Sequence, residues 1–201
     1  MESAQDVATM QPQDEQAGSP MHIVAWVDGS IHMIQEALPM DAAFCGDAVS
    51  ATLQRIIASQ VYLLIFDEEK VTDFGLVSSE MANAIFEDKS HWAAGESNIM
   101  PAWRLINDLL DEDEFDESRA VINLIFIASP LHDKAEFLEM LQRDDSDSKY
   151  VICLMGSLFH EANMPTSYDL AAAQNPKRIK VINCNGLTKG GIGDAVAALL
   201  G

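Results

Sequence analysis

The side chains able to do chemistry gather in a few short stretches of this 201-residue sequence. Asp28-Gly29-Ser30-Ile31-His32 supplies a carboxylate, a hydroxyl and an imidazole, the parts of a hydrolytic triad. A nucleophile elbow would read G-x-S-x-G, which this stretch does not, and three triad members within five consecutive residues cannot converge. His160-Glu161 opens an H-E-x-x-H zinc pattern, but methionine stands at 164, where the second imidazole is required. Gly186-Leu187-Thr188-Lys189-Gly190-Gly191 has the composition of a phosphate loop. Its lysine precedes the glycines and no hydroxyl follows, so it reads as a strand-to-helix turn and a break before a terminal helix. Cys45, Cys153 and Cys184 lack the paired spacing of a zinc site or a disulfide framework. Cys153 and Cys184 fall in apolar runs as small hydrophobes, and Cys45 is expected in a loop near Asp47, a neighbour that raises a thiol's pKa.

The elements that must position such residues are legible. Five apolar runs, His22–Val27, Val61–Phe66, Val121–Ile127, Tyr150–Met155 and Ile179–Cys184, are nearly unbroken rather than alternating, as strands buried on both faces are. Val71–Val77, interrupted by Asp73 and Gly75, suits an exposed edge. Helical stripes lie between them: Val49, Leu53, Ile56 and Ile57 over roughly 46–59; Ala102, Trp103, Ile106, Leu109 and Leu110 after Pro101; Ala135, Leu138 and Leu141; and Val196, Leu199 and Leu200. Alternation of this kind predicts an α/β fold, a doubly wound, mostly parallel six-stranded sheet with helices on both faces. Residues 1–20 carry four acids, no base and no apolar h-region; they read as a disordered acidic tail, not a secretory signal, before a single domain over 21–201.

In an open parallel sheet, sites form at the carboxyl ends of the strands. There the sequence places Asp28-Gly29-Ser30-Ile31-His32-Met33, Gly95-Glu96-Ser97-Asn98-Ile99-Met100-Pro101 and Ala128-Ser129-Pro130. In order and spacing these resemble the motifs of the von Willebrand factor A (VWA) family: a strand ending in D-x-S-x-S, a G-x-T-N loop before a helix, and a strand ending in T-D-G. The resemblance implies a metal-ion-dependent adhesion site for magnesium or manganese, held here by Asp28, Ser30 and Ser97, with Glu96 as a further ligand, and a partner surface including His32, Asn98 and Ser129. It also shows departures: His32 stands where a second serine is expected, Ser97 replaces threonine, Ser129 replaces aspartate, and Glu96 replaces glycine. Magnesium wants about six oxygen ligands and relies on carboxylate charge, and imidazole suits zinc, copper or nickel better. The motif therefore reads as a degenerate adhesion site, with no cofactor or a weakly bound Mg2+ or Mn2+.

Charge bounds the partners. Twelve Lys and Arg stand against 32 Asp and Glu, a net charge of -20, which disfavours nucleic acid and anionic membranes. Asp108–Glu117 holds seven acids and Asp144–Asp147 three; these read as solvated loops or as a docking surface for a basic partner. The expectation is a cytoplasmic protein-interaction module rather than an enzyme. Its partner would be separately encoded, and the resemblance suggests a bacterial stress-response or AAA+-associated adaptor. Two alternatives stay open: a metal-dependent ligand binder, and a small α/β hydrolase or nucleotide-binding enzyme, since fold does not fix function.

Overall fold

The structure, a computed structural model, describes residues 22–38, 40–57, 60–93, 95–111, 121–156, 159 and 166–200. Six strands form one sheet in the order β3-β2-β1-β4-β5-β6, where β1 is His22–Asp28, β2 Val61–Phe66, β3 Val71–Val77, β4 Val121–Ile127, β5 Lys149–Leu154 and β6 Ile179–Asn183. Every pairing is parallel except β2 with β3, which makes the antiparallel edge. The doubly wound architecture expected from the sequence is the one observed. β2 and β4 are buried along their whole length, which is why their sequences show no polar alternation.

Side chains alternate along each strand, so the sheet feeds two cores. Ala25, Val27, Leu63, Ile65, Leu124 and Phe126 face one side, with residues of α2 (Cys45–Ile56), α3 (Ser79–Glu87) and α7 (Lys189–Leu200). Val24, Trp26, Leu64, Ile125 and Ile152 face the other, with α4 (Met100–Asp111), α5 (Lys134–Arg143) and α6 (Ser167–Gln174). A single helical turn, α1 (His32–Gln35), follows β1. Each fully buried Leu, Ile or Phe stabilises by about 1.5–3 kcal/mol, so the central strands dominate the packing.

Several local readings need correction. α5 buries Phe137, Met140 and Leu141, while Ala135 is exposed, so its apolar face is rotated from the one expected. Gly190 and Gly191 do not break the chain before a helix; they lie inside α7, where the Thr188 hydroxyl accepts from the Gly191 N–H at 3.1 Å. Gly193 lets α7 approach α2, since a Cβ there would stand 3.1 Å from Arg55 Cδ. Cys45 is not in a loop: it opens α2 and is buried. Burial, then the nearby Glu36, Cys184 and Asp28, push its thiol up to about 12, so Asp47 is not the cause. Residues 1–20, His160-Glu161 and most of the 108–117 acidic block lie outside the described residues. Among the described residues, no helix is long and apolar enough to cross a membrane.

Candidate functional site

β1 delivers Asp28 to the carboxyl edge of the sheet, where the side chain is fully buried. Its Oδ1 accepts from the Ser30 N–H at 2.9 Å and the Ser97 hydroxyl at 2.6 Å. Its Oδ2 accepts from the N–H groups of Ala128 and Ser129 at 2.8 and 2.7 Å and from the Ser129 hydroxyl at 2.8 Å. A buried carboxylate is tolerated only when its lone pairs are satisfied, and here neutral donors from three separate loops do so. The Ser97 and Ser129 hydroxyl oxygens lie 3.4 Å apart. One carboxylate therefore clamps the turn after β1, the loop before α4 and the end of β4.

Backbone geometry brings these loops together. The Gly29 N–H donates to the Phe66 carbonyl at 2.7 Å, and a Cβ on Gly29 would stand 2.8 Å from Ile65 Cγ2. Only glycine fits where this turn crosses the end of β2. Ser30 bridges to Ala93 and Ser97 to Leu131, in each case in parallel register. Asp133 lies just beyond the β4 loop. Its two oxygens accept from the N–H groups of Ile99 and Met100 at 3.0 and 2.7 Å, capping the start of α4. Gly29 and Asp133 were not singled out as functional from sequence. The tight D-G-S turn gave some signal for the first; nothing local to Asp133 reveals that it caps a helix more than thirty residues earlier.

The sequence-derived candidates divide into two sets. Asp28, Ser30, Ser97 and Ser129 converge beneath the surface. Ser129 was expected to touch a partner, but its side chain is fully buried and its hydroxyl is committed to Asp28. Among the described residues, the buried Ser30 hydroxyl has no hydrogen-bond partner. The second set lies around the outer edge. Glu96 directs its Oε2 to His132 Nδ1 at 3.2 Å rather than towards Asp28, and Glu68 Oε1 lies 3.7 Å from His132 Nε2. Asn98 donates from Nδ2 to the Glu68 carbonyl at 2.8 Å, tying this edge to the β2–β3 turn, where Asp67 Oδ1 accepts from the N–H groups of Glu69 and Lys70. His32 Nδ1 lies 3.9 Å from Glu36 Oε1.

A hard divalent ion at the buried centre would meet one carboxylate, both of whose oxygens are already occupied, together with three hydroxyls. Among the described residues, no three His, Cys, Asp or Glu side chains are grouped so as to hold a metal.

No family model matches the sequence, and neither does any curated protein. Among solved structures, the manganese-loaded TRAP protein of Plasmodium vivax is similar at TM-score 0.60 and 14% identity, over 89% of this chain and 71% of that one. The human COPII-coat protein Sec24c aligns at TM-score 0.44 and 10% identity, over 76% of this chain and 27% of that one. The first likeness, at its low identity, is one of architecture: the chain has a VWA-like fold.

Proposed function

We propose that this chain is a VWA-type protein-interaction module that engages a separately encoded partner through the rim at the carboxyl ends of its parallel strands, without a resident metal ion. The observation that carries this reading is the clamping of three loops onto the single buried carboxylate of Asp28. Such a clamp fixes a surface on which His32, Glu96, Asn98 and His132 are presented, and a preorganised surface binds with less loss of conformational freedom. The Ser30, Ser97 and Ser129 hydroxyls are buried, which supports recognition rather than hydrolysis, because a nucleophile must reach its substrate.

The donor set does not fit a magnesium or manganese ion. The carboxylate expected in the third motif is replaced by Ser129, which donates to Asp28 where a cation would attract it. The unpartnered Ser30 hydroxyl favours the opposing reading, in which a cation completes the site; the similar TRAP protein is manganese-loaded. Calorimetric and thermal-shift titration with magnesium and manganese decides between them. Absence of heat and an unchanged melting temperature support the ion-free rim; heat abolished by Asp28→Ala overturns it. For the interaction itself, capture from native lysate should be insensitive to chelator and lost on substituting His32 and Asn98 to Ala. Capture that survives both substitutions removes the rim from the interface. An adaptor role in a stress-response or AAA+-associated system is the narrower form of this proposal and rests on the motif resemblance.

A further inference from the structure

Beside the rim, a cavity of about 580 Å³ opens between α2 and α3, with Met33 buried within it and Ile34, Phe44 and Phe86 among its apolar walls. Phe44 is 49% exposed although its ring is apolar, and Phe86 stacks on Trp92 at 5.9 Å, which holds that wall in place. Asp47 on α2 and Glu87 at the end of α3 also line the cavity, and both are exposed.

The groove joins apolar walls to carboxylates that lack an ion-pair partner among the described residues. Four acids elsewhere are paired with arginine, Asp194 with Arg55, Glu136 with Arg104, Glu139 with Arg143 and Asp144 with Arg178, while others, such as Glu80 and Asp145, form no ion pair among the described residues. A second groove, between α4 and α5, is lined by three of those paired acids together with Arg143 and with Asp145, which forms no ion pair among the described residues. Among the described residues, Asp47 and Glu87 form no ion pair, and Lys189 is the single cation lining their cavity. Apolar walls beside unpaired carboxylates complement a segment that carries large apolar side chains on one face and lysine or arginine on the other.

We infer that this groove docks a basic amphipathic helix of the partner protein, its apolar side chains against Phe44 and Phe86 and its cations against Asp47 and Glu87. The inference rests on the reading of the chain as a protein-interaction module and names the chemistry of the partner.

The test uses a fluorescein-labelled helical peptide of about 16 residues, with Leu and Phe at i, i+3, i+4 and i+7 and Lys or Arg between them, and a control peptide with Glu in place of the cations. Binding is followed by fluorescence anisotropy and by amide shifts of the full chain. The basic peptide should bind, should move the amides of 33–34, 44–54 and 83–87, and should weaken with salt; the acidic peptide should not bind. Asp47→Asn with Glu87→Gln, which changes charge and little else, should weaken binding by about tenfold, and Phe44→Ser by a similar factor. Asp145→Asn with Asp147→Asn removes the same charge elsewhere and should leave affinity unchanged. Equal loss in both charge pairs, shifts spread over the whole surface, or no binding of the basic peptide each overturn the inference. Shifts confined to 28–32, 96–98 and 128–132 overturn the groove while leaving the rim as the interface. Failure of the rim is read separately, from partner capture by the His32 and Asn98 variants.

Discussion

Two carboxylates hold the two ends of the sheet, and they are satisfied by different chemistry. At the carboxyl end, Asp28 is fully buried and its donors are all neutral: three backbone N–H groups and two hydroxyls. At the amino end, Asp144 accepts from the Arg178 guanidinium at 2.6 Å, the Tyr150 hydroxyl at 2.6 Å and the Ser146 N–H at 3.0 Å. Arg178 also donates to the carbonyls of Asp144 and Ser148, so a charged staple joins the loop before β5 to the start of β6. Burial pushes the Asp144 carboxyl up, but the bonds from Tyr150 and Ser146 and the charge of Arg178 outweigh it and hold the group below its ordinary value. Tyr150 is pushed the other way, by burial and by Asp144. The staple carries its own counter-charge, whereas among the described residues the clamp at Asp28 has none and depends on geometry alone. A clamp of that kind should be intolerant of any change in its donors, since each buried donor left without its acceptor costs free energy.

The largest effect should come from Asp28→Ala, which leaves three buried N–H groups and two hydroxyls without an acceptor. Denaturant unfolding should show a loss of about 4 kcal/mol, given roughly 1–3 kcal/mol for each buried group left unsatisfied and partial relaxation of the loops. A loss below about 1 kcal/mol would mean that water replaces the carboxylate easily and that the clamp is not what fixes the rim.

Ser129→Asp sharpens the contrast by removing a donor and adding a like charge beside Asp28. In chelator the variant should lose about 3 kcal/mol, since two neighbouring carboxylates repel in a desolvated site. Magnesium or manganese should restore much of its melting temperature while leaving that of the parent chain unchanged. A variant indifferent to both ions would show that the missing carboxylate is not what bars a cation.

How much of this was legible depended on whether the signal was local. The strands were, because a strand buried on both faces is a continuous apolar run; Val61–Phe66 and Val121–Ile127 match β2 and β4 residue for residue. α6 went unread because Ser167–Gln174 has no apolar stripe and buries only Tyr168 and Ala171. Its start was nonetheless written in Thr166 and Asp169, which form a capping box, as Ser78 marks the start of α3 by accepting from the Met81 N–H. The rotation of α5 was not legible: Ala135-Leu138-Leu141 and Phe137-Met140-Leu141 are both helical stripes, and packing against the sheet chooses between them. At the rim, Asp28 and Ser129 stood out because each lies where an apolar strand run ends, and Ser97 because it lies in the polar loop before α4. That Ser129 turns inward to Asp28 while Glu96 turns outward to His132 depends on contacts between loops far apart in the chain.

The amino-end staple should respond to pH with a defined sign. The Asp144 carboxyl is held low in the folded chain, so its contribution is complete above the unfolded value of about 3.9 and is lost as pH falls through the lower folded value. Asp144→Asn should therefore cost about 2 kcal/mol near neutral pH, consistent with the loss of a hydrogen bond to a charged group. The gap between parent and variant should narrow below about pH 4. A gap that is flat down to the acid limit would show that the staple works through shape and not through charge.

The smallest effect belongs to Asp133, which joins the rim to α4 without touching Asp28. Its oxygens accept from the first N–H groups of the helix, where a negative charge also meets the positive end of the helix dipole. Asp133→Asn keeps one acceptor and removes the charge, so the cost should be about 1 kcal/mol and should shrink as salt is raised. Amide exchange at Ile99 and Met100 should quicken while exchange at Ala128 and Ser129 stays slow, because those donors belong to Asp28. If all four quicken together, the cap and the clamp are one cooperative unit, and the rigidity of the rim extends into α4.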